Sequence, residues 1–188
     1  MNYSDFRTLL RADLERYGEG SHFGAWLRSY VIHPGFRFTC WFRFAGYCRS
    51  HRLLRAVSKC VTFIVLHQSL KTGIQINPGA TIGAGLYIPH YGGIVVNPQT
   101  VIGKNCYLSH NVLIGKVHAG KRAGVPVIGN DVFIGTGAVI LGNIKVGNNA
   151  AIGVNSVVIN DAPSGVFVAG VPAKIVAQRG ASELLGLD

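Results

Sequence analysis

Acidic side chains are scarce in this chain: 8 Asp and Glu stand against 18 Lys and Arg in 188 residues. Between Gly20 and Ser182 the only acids are Asp131 and Asp161, which leaves a serine nucleophile with a His–carboxylate relay poorly supported. No apolar run reaches 18 residues. The longest candidate, Val57 to Leu70, carries Lys59 and His67 and is too short to span a bilayer. The opening residues, Met1-Asn2-Tyr3-Ser4-Asp5, lack the basic start and apolar core of an export signal. The four cysteines (Cys40, Cys48, Cys60, Cys106) form no CxxC pair, so they read as reduced thiols of a cytoplasmic protein. Nucleic-acid-binding motifs are also missing. A hydrophobic share of 48% with 14% charged residues is that of a globular chain rather than a disordered one.

What is abundant is glycine, 25 residues of it, and it follows a repeat. From Ile76 to Val158 a six-residue unit opens on an aliphatic residue, often followed by glycine, as in Ile82-Gly83, Ile102-Gly103, Ile134-Gly135 and Ile152-Gly153. The openers fall at 76, 82 and 88, then at 96, 102, 108 and 114, then at 128, 134, 140, 146, 152 and 158. One small aliphatic per hexad is the pattern of a left-handed parallel β-helix. Three hexads make a triangular coil, and each coil advances by one strand spacing, about 4.8 Å. Asn and Gly in Gly129-Asn130, Gly142-Asn143 and Gly147-Asn148-Asn149 suit turns with left-handed backbone angles.

Residues 1–72 read as an N-terminal α-helical domain. Ser4 is placed to cap a helix with apolar positions at Phe6, Leu9, Leu10, Leu14 and Tyr17. His33-Pro34-Gly35 is a breaker, followed by the aromatic-rich stretch Phe36 to Tyr47 with Arg37, Arg43 and Arg49. Leu53 to Leu70, apolar on most sides, is expected to be largely buried. Residues 73–170 form the β-helix and 171–188 a C-terminal tail; helices and tail are expected to cap its two ends. The helical segment holds 11 Lys and Arg against 4 Asp and Glu. Such charge fits either a solvated face or a peripheral contact with anionic lipid of the inner membrane.

The period breaks twice. Ile88 to Val96 contains two extra residues, at His90-Tyr91-Gly92-Gly93. Ile114 to Ile128 contains eight, so 116–127 leaves the coil as a protruding, basic, glycine-bearing loop suited to a lid or substrate contact. His90 and His110 are each third in their hexads and lie on the same side of successive coils, with Thr136 one coil on. A ladder with steps of about 5 Å follows, and a histidine ladder at a break is a candidate site. His90 acting as a lone general base fits this arrangement. Zinc held by His90, His110 and His118 is the alternative, but their spacing matches no local zinc motif, so no metal is expected.

Ile76-Asn77-Pro78-Gly79-Ala80, Ile88 through Val96, Gly135 through Ile144 and Ala169-Gly170-Val171-Pro172-Ala173-Lys174-Ile175-Val176 resemble the serine O-acetyltransferase branch of the hexapeptide-repeat acyltransferases. The resemblance implies a homotrimer, with pairing of two trimers left open, and active sites in clefts between prisms. It implies acetyl-CoA as cosubstrate and His90 as catalytic base. It further implies that Gly115, Gly135, Thr136, Gly153 and Val154 line the cofactor groove, with Lys174 and Arg179 at its phosphates. Gln75 would orient the base, and Tyr91, His110, Lys116, Lys121 and Arg122 would contact the acceptor.

The sequence also departs from that branch. Its aspartate before the catalytic histidine is replaced by Pro89, its base-orienting aspartate by Gln75, and the Arg-His pair of its loop by Gly124 and Val125. Losing charged contacts costs specificity for a zwitterion. On that ground, and because Gly92-Gly93-Ile94-Val95 and Gly120 through Pro126 resemble its sugar-acetylating offshoot, the acceptor is expected to be a saccharide of a bacterial surface polysaccharide or its precursor. Serine, or another small molecule, is the alternative acceptor. A non-catalytic β-helix scaffold is the alternative of another class.

Overall fold

The computed structural model describes residues 1–186 apart from 19 and 21; the last two positions of the expected 171–188 tail lie outside the described residues. Four α-helices come first: α1 (Tyr3–Glu15), α2 (Phe23–Ile32), α3 (Pro34–Ser50) and, after a 3-10 turn at Arg52–Leu54, α4 (Arg55–Thr72). Asn2, not Ser4, caps α1. Its side chain accepts from the Asp5 N–H at 2.8 Å while the Asp5 carboxylate accepts from the Asn2 N–H at 2.8 Å, a reciprocal capping box that Ser4 cannot make. Pro34 sits in the first turn of α3, where its missing N–H costs nothing. Gly73, with φ of +66°, closes α4 in the left-handed conformation.

Short strands then wind a prism. The first coil holds β1 (Ile74–Ile76) and β2 (Thr81–Ile82). The second holds β3 (Ile94–Val96), β4 (Val101–Ile102) and β5 (Tyr107–Leu108), and the third β6 (Leu113–Gly115), β7 (Val127–Ile128) and β8 (Phe133–Ile134). The fourth holds β9 (Val139–Leu141), β10 (Lys145–Val146) and β11 (Ala151–Ile152), and the fifth β12 (Val157–Val158) and β13 (Phe167–Gly170). After these come β14 (Ala173–Ala177) and the short α5 (Ala181–Leu185). Three sheets result, ordered β1-β3-β6-β9-β12, β2-β4-β7-β10 and β5-β8-β11-β13-β14. Every pairing is parallel except β13 with β14. This is a left-handed parallel β-helix behind a helical domain.

All thirteen hexad openers are buried, none more than 7% exposed. They stack up the prism axis with Leu86, Val112, Val132 and Ala150, each large aliphatic contributing about 1.5–3 kcal/mol on burial. Of the expected turns, positive φ falls at Gly142 and Asn149 but not at Gly129-Asn130, and it falls also at Asn105, Asn111, Asp131 and Asn155. Gly93 and Asn111 show why. Both are left-handed at successive coils, and a Cβ at 93 would collide with the Asn111 side chain.

The helices cover the start of the prism. Phe38 and Phe42 of α3 and Val61 and Val65 of α4 join the β-helix core, so the aromatic stretch is packing. The covering is also polar. Arg43, buried, pairs with buried Asp13 (Nε to Oδ2 2.8 Å, Nη2 to Oδ1 3.1 Å). Burial pushes the Asp13 carboxyl up, while the Arg43 charge pulls it back. α4 differs from expectation. Val57, Phe63, Leu66 and Leu70 are exposed because the helix meets α3 and β1 along one narrow side. By length and hydropathy, residues 52–72 could cross a membrane. Strand β14 folds back along β13, and the α5 start is tied to Asn149 by the Ser182 N–H at 2.8 Å, so the tail covers one sheet edge.

Candidate active site

The prism has three corners, and two of them flank the sheet built on β1. At the first, the parallel registers Leu108↔Ile134 and Tyr87↔Tyr107 put His90, His110 and Thr136 on successive coils. The His90 and His110 rings lie 5.8 Å apart, edge to face at 86°. The ladder continues: Ile134↔Ile152 and Ile152↔Val168 place Val154 beside Thr136 and Gly170 one coil on. The coils are stitched at this corner by Asn111 N–H to Gly92 O (2.9 Å), Gly137 N–H to His110 O (3.2 Å) and Asn155 N–H to Thr136 O (2.8 Å). His90 and Tyr91 are exposed, His110 half-buried, and with Pro89 they line one small cavity. His110 Nδ1 is buried and has no hydrogen-bond partner among the described residues. Gly135 and Gly153 lie at the same corner, both buried, and Val154 is exposed. Lys174, paired with Ala169 in β14, stands exposed at the far end, with Arg179 exposed beyond it.

At the second corner the 116–127 insertion is a tied hairpin rather than a free lid. Val117 and Gly124 exchange backbone hydrogen bonds of 3.0 and 2.9 Å. The Arg122 carbonyl accepts from Asn143 N–H at 3.0 Å, and Arg122 Nη2 donates to Asn160 Oδ1 at 2.9 Å. Lys116 Nζ donates to Gln99 Oε1 at 3.1 Å, and Lys121 is exposed. Between α4 and the β1 sheet runs a groove of about 790 Å³ lined by Gln75, Val95, Gly115, Lys116, Phe63 and Leu66 among others.

Two expected neighbours are therefore separated. Gln75 makes no hydrogen bond to His90. The buried–exposed–buried alternation of β1 turns its side chain out of the sheet face, whereas His90 projects from the corner. Gly115 lies at the loop corner rather than with Gly135 and Gly153. Among the described residues no three His, Cys, Asp or Glu converge on a possible metal, and His118 sits on the hairpin away from His90 and His110. Asp13, Tyr17 and Arg43 contact the first coil, a role the sequence does not signal. Asp13 and Arg43 carry no local signal, since each reads as an ordinary polar position on an amphipathic helix.

Residues 126–160 match the family of bacterial transferase hexapeptide (six repeats). A serine acetyltransferase of Helicobacter pylori is 36% identical over 151 residues, covering 79% of this chain and 84% of that one. This chain belongs to the serine acetyltransferase branch of the hexapeptide-repeat acyltransferases. A serine acetyltransferase of Synechococcus elongatus is 34% identical over 153 residues, 80% of this chain and 60% of its own length, so the chain spans three-fifths of that relative. The crystal structure of the Brucella abortus serine acetyltransferase in complex with coenzyme A superposes with a TM-score of 0.78 at 30% identity. It covers 95% of this chain and 70% of that one.

These relatives overturn the saccharide acceptor and the polysaccharide role. That expectation rested on four substituted positions, Gln75, Pro89, Gly124 and Val125, and on two short segments, Gly92 to Val95 and Gly120 to Pro126, that resemble the sugar-acetylating offshoot. Absent charges at single positions say what a site no longer grips, not what it holds. Similarity across most of the chain, helices included, outweighs them.

Proposed function

We propose that this chain transfers the acetyl group of acetyl-CoA to the hydroxyl of L-serine, or of a closely similar small acceptor, with His90 as general base. The carrying observation is the ladder His90–His110–Thr136–Val154, which opens at an exposed imidazole and runs along one corner toward Lys174. Its reach from His90 to Lys174, five coil steps or about 24 Å, suits an extended pantetheine arm. Gly135 and Gly153 keep the corner narrow, and Lys174 and Arg179 provide point charges for phosphates. His90 takes the hydroxyl proton as the oxygen attacks the thioester carbonyl, and returns it to the departing CoA sulfur. The acetyl–sulfur bond breaks and an acetyl–oxygen bond forms, with no net loss of protons.

A single chain carries the histidine at one corner and the cations Lys116, Lys121 and Arg122 at another. A closed ring of three copies supplies the missing juxtaposition, because a head-to-tail interface sets the hairpin of one copy against the ladder of the next. Those cations then face the carboxylate of an amino-acid acceptor, a task for which the cavity of Pro89, His90, Tyr91 and His110 offers no lysine or arginine. The exposed apolar face of α4 borders the same sheet.

Release of free thiol from acetyl-CoA, followed with L-serine and with a panel of hydroxy acids, amino alcohols and sugars, tests the acceptor. L-Serine is expected to give the highest kcat/KM. His90→Asn is expected to lower kcat by at least about a hundredfold, as for loss of a general base, with coenzyme A binding kept. Near-full turnover in that variant would remove His90 from the chemistry.

A further inference from the structure

The first coil has no coil before it, so several backbone groups along residues 82–88 face the helices instead of another strand. Buried backbone groups need partners, and three side chains supply them. Arg43 donates from Nη1 to Ile82 O and from Nη2 to Gly83 O, both at 2.6 Å. Asp13 Oδ1 accepts from the Leu86 N–H at 2.8 Å. The Tyr17 hydroxyl donates to Ile88 O at 3.1 Å and accepts from the Ile88 N–H at 3.4 Å. Helical side chains thus stand where a preceding strand would be.

Ile88 is two residues before His90, and Pro89 between them has no N–H with which to tie the corner. The Ile88 carbonyl is held from a second direction by α3, where a Cβ at Gly35 would collide with it. The Tyr17 ring is wedged against Tyr87 at 4.8 Å, His33 at 4.9 Å and Phe36 at 5.4 Å between centroids, so its hydroxyl is itself fixed. Burial raises the Tyr17 hydroxyl well above the ordinary phenol range, which keeps it a donor at any working pH.

We infer that Tyr17 is a positioning residue for His90: its hydroxyl grips both backbone groups of Ile88 and so fixes the corner from which the imidazole projects over His110. The inference rests on the reading of His90 as the base. Misplacing a reacting group by about 1 Å costs up to about a hundredfold in rate, whereas the cofactor groove at Gly135 and Val154 lies two to three coils away.

Tyr17→Phe removes one oxygen and keeps the ring packing. It is expected to lower kcat about ten- to a hundredfold while KM for acetyl-CoA and the stoichiometry of coenzyme A binding stay as in the parent. Tyr30→Phe is the matched control. It deletes a hydroxyl that accepts from Trp41 Nε1 at 2.9 Å in the same helical layer, without touching the coil. Tyr30→Phe should lose about 2–4 °C of thermal stability for its one hydrogen bond, and Tyr17→Phe that much or somewhat more for its two, while Tyr30→Phe should keep its turnover. A Tyr17→Phe enzyme with parental kcat overturns the inference. So does one whose kcat falls only in proportion to lost coenzyme A binding sites, or a Tyr30→Phe enzyme equally impaired. His90→Asn separates the two proposals. If it is inactive while Tyr17→Phe is fully active, only the positioning role fails; if it retains turnover, both fail.

Discussion

At the scale of single residues, the environment of each thiol decides its reactivity. Cys40 is pushed up to about 12 and Cys106 to about 11, in both cases by burial, and burial raises Cys48 as well. Cys60 is exposed on α4. Only a thiolate attacks a disulfide reagent, so at pH 8 one thiol per chain is expected to react rapidly with a chromogenic disulfide. The other three should react only after denaturant is added. Three fast thiols would mean that the helical layer opens readily. Residue-scale reading from sequence succeeds where a position's role is local to the repeat. His90 and His110 fall on one side because the hexad period fixes their register, and their rings meet as that register requires. It fails for Asp13 and Arg43, whose burial depends on a first coil 73 residues beyond the one and 39 to 40 beyond the other. It fails for Gln75 as well, since the period does not say which outward side chains can reach round a corner.

At the scale of elements, the junction of α1, α3 and the first coil is the point of greatest leverage. Arg43 binds two carbonyls and a carboxylate at once. Replacing it by methionine keeps much of the apolar stem but strands the Asp13 carboxylate and two carbonyl oxygens. Breaking a buried pair from one side costs about 3–5 kcal/mol, so Arg43→Met is expected to lose that much in a denaturant titration. A loss below about 1 kcal/mol, the value of an exposed pair, would place the ion pair in solvent. Elements differ in how well the sequence announces them. The strands are legible because each hexad repeats the same core demand. The α1 cap is misread at Ser4 because both Asn2 and Ser4 are competent, and only the Asp5 side chain reaching back selects Asn2. For α4, an apolar helix looks the same whether its own chain or a neighbouring copy covers it.

At the scale of the whole molecule, the proposed site is shared, and sharing has a signature. His90→Asn and a Lys116→Ala/Arg122→Ala variant should each be inactive alone. Coexpressed in equal amounts, they should form mixed trimers in which about a quarter of the sites pair an intact histidine with an intact hairpin. Recovered thiol release in the mixture, with a trimeric mass in ultracentrifugation, is the expected result. No recovery would put both corners' contributions within one chain. The family was legible from segments such as Ala169 to Val176, and the acceptor was not, because substituted positions such as Pro89 and Gly124 say only which charges are absent. The clasp of Arg43, Asp13 and Tyr17 has a consequence beyond catalysis. A stack of parallel coils ends in open hydrogen-bonding edges, the same template that propagates cross-β fibrils. Here the leading edge is occupied by side chains that no incoming strand can displace without stranding a buried ion pair, and the trailing edge of one sheet is closed by an antiparallel strand. Addition of further molecules at those edges is thereby opposed, so a fold built on endless repetition stays finite.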